Sequence, residues 1–144
     1  MLHLAKTLWC LLFALCGIAQ AQTFEEFIFS VQHARDSLTK SQLIIDYLLH
    51  HSIPIAEDSL VHFVYRGTGN VVAAPGEMNG WNPSEGIMTR LSGTNCFYRT
   101  DSIPADGRVE YKLWIDSTWI LDPLNPHKAI GGYGENSDAW MPEY

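Results

Sequence analysis

Between Val109 and Pro126 the chain alternates, turns back and stops in a way that admits few folds. Val109, Tyr111, Leu113 and Ile115 fall on one face of an extended strand, and Glu110, Lys112 and Trp114 fall on the other. Asp116-Ser117 offers a short turn, and Thr118 to Leu121 returns as a second strand carrying Trp119. Asp122-Pro123 and Asn125-Pro126 end that strand, because proline lacks the ladder donor and pushes the residue before it towards extended geometry. The expected product is a β-hairpin that holds Lys112, Trp114 and Trp119 close together. Large rings beside a surface lysine need a reason to be there.

The same texture fills the chain from Ser59 onward. Short β-rich runs stand between Gly, Pro, Asn and Asp: Leu60 to Arg66, Val71 to Pro75, Ile87 to Leu91, Cys96 to Ile103, Arg108 to Ile115, Thr118 to Leu121 and Ala139 to Tyr144. Seven strands at this spacing, with no helical segment among them, predict a mainly β, immunoglobulin-like antiparallel sandwich over residues 59–144. A helical lead-in over residues 22–54 precedes it. Thr23 with Glu26 forms a capping box, and Phe24, Phe27, Ile28, Val31 and Leu38 recur at helical spacing against Glu25, Gln32 and Arg35. Leu43, Ile44, Tyr47 and Leu48 continue the pattern to His50-His51, and Ser52-Ile53-Pro54 ends it. One long helix or two short ones fit, and the apolar stripe must bury against the protein's own sandwich or a partner chain, the first being the expectation.

Residues 1–21 read as an export leader rather than as part of the fold. Lys6 is the early charge, Leu8 to Leu15 is an apolar run too short to span a bilayer, and Ala19-Gln20-Ala21 fits a small-x-small cleavage site. The expectation is a secreted or periplasmic protein cleaved after Ala21, with no membrane segment in the mature form. Leu15 is larger than the residue expected before a lipidated cysteine, which argues against a lipoprotein at Cys16. Cys10 and Cys16 leave with the leader, so Cys96 stands alone, forms no internal disulfide and is expected to act as a small buried hydrophobe. The formal charge of −7 becomes −8 without Lys6, eight basic against sixteen acidic side chains. That balance argues against nucleic acid and anionic membrane as partners.

Gly76-Glu77-Met78-Asn79-Gly80-Trp81-Asn82-Pro83, Tyr111-Lys112, Asp116, Trp119, Asp122-Pro123 and Asn136 together resemble a family-48 carbohydrate-binding module. This is the early-set sandwich of the glycogen-binding part of the AMP-activated protein kinase beta subunit and of starch-branching and debranching enzymes. The resemblance implies an α-glucan or related polysaccharide as ligand, with Trp81 and Trp119 stacking on glucose rings and Lys112 and Asn136 on hydroxyls. Trp114 would extend that platform, and Trp140 and Tyr133 are weaker candidates. Gly132 and Gly134 stand where the family has a clasping leucine and threonine, which removes apolar area from the loop. Two indole faces hiding roughly 100 Å² each, at about 25 cal/mol per Å², contribute on the order of 5 kcal/mol. Association costs offset most of that and leave affinities from about millimolar to tens of micromolar.

The lead-in, VHFVYRG, WILDPLNP and the closing GGYGENSDAWMPEY also resemble the N-terminal domain of secreted bacterial esterases related to enterochelin esterase. There the sandwich precedes an α/β-hydrolase domain, so this resemblance implies an accessory domain that packs on a hydrolase and holds no sugar. No G-x-S-x-G nucleophile elbow occurs, and the expectation is a non-catalytic module, free-standing or a truncated relative. Asn79-Gly80 is expected to turn, and Asp122 to organise its own turn rather than act as an acid. His33, His50, His51, His62 and His127 lack metal-ligand spacing and are expected at the surface, so neither a metal nor a cofactor is expected.

Overall fold

Two seven-residue runs anchor the architecture. Leu60–Arg66 pairs antiparallel with Cys96–Ser102 along its whole length, from Leu60 opposite Ser102 to Arg66 opposite Cys96. The computed structural model describes residues 22–144, so the leader and its cleavage site lie outside the described residues. In chain order the elements are helices α1 (Phe24–His33) and α2 (Ser37–His50), then strands β1 (Ile55–Glu57), β2 (Leu60–Arg66), β3 (Val72–Ala73), β4 (Thr89–Arg90) and β5 (Cys96–Ser102). They continue as β6 (Arg108–Tyr111), β7 (Leu113–Ile115), β8 (Thr118–Ile120), β9 (Lys128–Gly131) and β10 (Gly134–Trp140). All pairing is antiparallel: β1-β2-β5-β4 form one sheet, and β6-β10-β9 and β3-β7-β8 build the other side. The mainly β, immunoglobulin-like sandwich expected from the sequence is the fold.

Strand β2 is buried on both faces, which explains its near-continuous apolar sequence. Val61, Phe63 and Tyr65 point into the sandwich and meet Val72, Tyr111, Leu113 and Ala139. Val64 points the other way, into a second core built with Phe27, Val31, Ile44, Tyr47, Leu91 and Cys96. The helical stripe therefore packs on the protein's own sheet. Thr23 and Glu26 close the capping box at 3.3 and 2.9 Å, and Asp36 caps α2 by accepting from the Thr39 amide at 2.8 Å. Cys96 is fully buried and free, and burial pushes its thiol up to about 12.

The structure departs from the sequence reading in four places. Of the one or two helices expected for the lead-in there are two, and the departure is Leu38, 80% exposed rather than part of the stripe. The break at Ala34 to Asp36 resets the helical phase, so the heptad spacing from Val31 to Leu38 no longer places both on one face. The last strand is Gly134–Trp140, not Ala139 to Tyr144, because β9 supplies it with a hairpin partner through Gly131 to Gly134. Short strands β1 and β9 carry no clear alternation and went unseen, and two single-turn 3-10 segments lie at Glu77–Asn79 and Pro83–Glu85. His62 is buried, not at the surface. Its ring stacks on Phe24 at 4.1 Å, and Nδ1 lies 2.8 Å from Thr100 Oγ1.

Candidate functional site

Lys112 sits at a fork. Strands β6 and β7 are one extended run interrupted at Lys112, whose amide donates to the Pro75 carbonyl at 3.0 Å. On the opposite edge β10 pairs along β6, with Ser137 across from Tyr111, and β8 pairs along β7, with Ile120 across from Leu113. Two hairpins, β7–β8 and β9–β10, thus leave the same run on either side of Lys112 and diverge. The gap between them is a cleft of about 560 Å³. Trp119 lines it from β8, Gly131, Gly132 and Tyr133 from the β9–β10 turn, and Asn136 from β10. Glu110 and Lys112 line it from the β6–β7 run, and Glu77 and Trp81 from the loop that follows β3.

Four of the five sequence-proposed site residues therefore share one cleft: Trp81, Lys112, Trp119 and Asn136. Trp114 lies directly across from Trp119 on the β7–β8 hairpin but is half-buried and does not line the cleft. Of the weaker candidates, Tyr133 lines the cleft and is fully exposed. Trp140 instead tilts against His127 at 4.2 Å and donates from Nε1 to Asp138 at 2.8 Å.

Local chemistry explains how each side chain is held. Asp116 and Ser117 adopt φ of +46° and +76°, the mirror-image turn that matches strand twist. The Asp116 carboxylate fastens this turn by accepting from the Val71 amide at 2.8 Å and the Asn70 amide at 3.1 Å, and these bonds lower its pKa. Asn79-Gly80 does turn: Gly80 has φ +62°, and Asn79 Oδ1 accepts from the Gly76 amide at 2.9 Å. Trp81 follows with φ +59°, a conformation that costs a bulky residue on the order of 1–2 kcal/mol. Its amide donates to the Gly76 carbonyl at 2.8 Å, so the loop holds an indole in a strained position on the cleft wall.

Behind the cleft lies a buried polar network that sequence reasoning placed only in part. Asp122 Oδ1 accepts from the Leu124 amide at 2.8 Å, as expected for its own turn, while Oδ2 accepts from the Tyr111 hydroxyl at 2.6 Å. Asn125 Nδ2 donates to the Tyr111 oxygen at 3.1 Å and the Asp138 carbonyl at 2.9 Å, and Ser137 Oγ accepts from the Asp122 amide at 2.8 Å. Burial, and then the Asp122 charge, raises the Tyr111 pKa well above its ordinary value. Burial also raises Asp122, against the Tyr111 hydrogen bond. The sequence reading does not place Asn125 and Ser137; the only signal is the Asn-Pro pair between β8 and β9.

Solved structures share the fold. The enterobactin esterase Fes from Shigella flexneri in the presence of enterobactin is 20% identical with a TM-score of 0.55, covering 68% of this chain and 35% of its own. Enterochelin esterase from Shigella flexneri gives 20% and 0.54 over the same shares. Ferric enterobactin esterase from Salmonella typhimurium gives 20% and 0.50, covering 62% of this chain and 33% of its own. The chain thus spans about a third of the length of these structures. No protein-family model and no curated protein matches it.

Proposed function

We propose that this protein is a non-catalytic accessory sandwich of an esterase system, exported through its leader, that packs on an α/β-hydrolase domain. The observation that carries this reading is the fold likeness to enterobactin esterases, which spans about a third of their length. The chain's own chemistry supports it. Three groups with raised pKa, Tyr111, Asp122 and Cys96, are sealed in the core where no substrate reaches them, and the sequence offers no nucleophile elbow. The reading requires an α/β-hydrolase encoded in the same or a neighbouring reading frame, and its absence there sinks the idea. With that hydrolase purified, the two are expected to co-elute, and hydrolysis of a p-nitrophenyl ester is expected to change when this protein is added.

A second reading, polysaccharide binding, is favoured by the convergence of Trp81, Lys112, Trp119 and Asn136 on one cleft. The apolar faces of a pyranose fit flat on indole, and its rim hydroxyls need donors and acceptors. The test is tryptophan fluorescence during titration with maltoheptaose, with Trp119→Ala alongside. A saturable change that vanishes in the variant supports sugar binding. A flat trace up to roughly 10 mM excludes it at the affinities such a site can reach.

A further inference from the structure

A ladder of charged and amide side chains on the outer face of β6 and β10 ends in the cleft. Arg108 Nε donates to Asp138 Oδ1 at 2.9 Å, and Arg108 Nη2 donates to Glu110 Oε1 at 3.0 Å. The other Glu110 oxygen, Oε2, accepts from Asn136 Nδ2 at 2.8 Å. An ionised carboxylate accepts and cannot donate, so only the NH₂ end of Asn136 can face Glu110. Asn136 Oδ1 is left over and accepts no hydrogen bond from the described residues. Gly131 makes room for this arrangement, since a Cβ there would stand 2.5 Å from Asn136 Nδ2. Lys112, in the same cleft, has neither an ion pair nor a side-chain hydrogen bond with the described residues, and an ammonium only donates.

We propose that Glu110, braced by Arg108, is a positioning residue that fixes Asn136 as a hydrogen-bond acceptor in the cleft. The cleft then selects a neutral polyol ring that gives a hydroxyl to Asn136 Oδ1 and an oxygen to Lys112 Nζ. An acidic sugar placed there sets its carboxylate against the Asn136 oxygen and the Glu77 and Glu110 carboxylates. The selectivity rests on the polysaccharide reading; the positioning does not.

Glu110→Gln tests both with almost no change of shape. Arg108, held by Asp138, claims the oxygen of the new amide and leaves its NH₂ towards Asn136, which must turn its own oxygen inward. In ¹⁵N-labelled protein the Asn136 side-chain amide protons are expected to lie downfield and exchange slowly, and to lose both properties in Glu110→Gln while the backbone spectrum persists. Unchanged Asn136 side-chain resonances overturn the positioning role. Asn136→Asp is the second variant, because it sets two carboxylates where the 2.8 Å contact now lies. One of the pair is then expected to titrate well above the ordinary carboxylate range, and two ordinary titrations overturn the contact. For the ligand, maltoheptaose is expected to bind Glu110→Gln about five-fold more weakly, the loss of one neutral hydrogen bond. An oligogalacturonate is expected to bind the unaltered protein more weakly than maltoheptaose does. Equal binding overturns the selectivity. Failure of both sugars removes the polysaccharide reading and the ligand class with it, while the amide spectra still decide the role of Glu110.

Discussion

The two faces of β2 meet two different interiors. Towards the sandwich, Val61, Phe63 and Tyr65 join a core that is apolar throughout its centre, with its polar groups fully paired around Tyr111 and Asp122. Towards the helices, Val64 shares its face with His62, and two buried polar atoms there, His62 Nε2 and Tyr47 Oη, find no hydrogen-bond partner among the described residues. His62 Nε2 lies 3.5 Å from Glu57 Oε2, too far for a well-formed bond, while Glu57 Oε1 accepts from the Phe24 amide at 2.9 Å. The sandwich interior thus keeps its buried polar groups paired, and the helical layer keeps a buried histidine whose Nε2 is not. A sheet strand serving both interiors couples them.

The largest expected effects test that coupling. Phe63→Ala on the sandwich side and Phe27→Ala on the helical side each remove a fully buried ring and should cost about 3–5 kcal/mol. Because β2 and β5 contribute to both interiors, urea unfolding followed by far-ultraviolet circular dichroism and by tryptophan fluorescence should give one coincident transition. Separate transitions in Phe27→Ala would break the coupling. Next in size, Tyr111→Phe should cost about 1–3 kcal/mol, since it leaves the buried Asp122 Oδ2 without its donor. A loss no greater than a few tenths would mean that water reaches Asp122.

Smaller is a pH effect on the helical side. Burial lowers the His62 pKa from the ordinary 6.5, outweighing the attraction of Glu57. The folded state therefore prefers neutral imidazole. Its contribution to stability is present above pH 6.5 and is lost as the pH falls below that value towards the lowered folded pKa. His62→Gln should flatten the midpoint-against-pH curve below pH 6.5, and an equal slope in both proteins would assign it to other groups. Smallest is Thr23→Ala, which removes the N-cap of α1 and should cost about 1 kcal/mol. Rescue by Ser but not by Val at this position would sharpen the assignment.

Much of this was legible in the chain itself. The capping box at Thr23, the turn at Asp116-Ser117, the full extent of β2 and the self-contained turn at Asp122 all follow from residues within a few positions of one another. Four site residues were identified by resemblance, and Trp114 was grouped with them because alternation places it on the same strand face as Lys112. Alternation specifies a face and not a neighbour, and only the divergence of two hairpins decides which outward residues border the cleft.

Sequence alone determined the period of each element, its caps and its turns, because these depend on local sterics and short hydrogen bonds. It also set Trp114 and Trp119 beside an outward lysine, where large rings need a reason to be at a surface. Tertiary structure decided the rest. A glycine-rich stretch became a hairpin because β10 was there to pair with β9, and His62 was buried because α1 lies over it. Asn136 turned its NH₂ inward because a carboxylate held by Arg108 waited 26 residues away in sequence. Contacts of that kind join residues distant in the chain, and no local pattern encodes which end of an amide, donor or acceptor, will face the cleft.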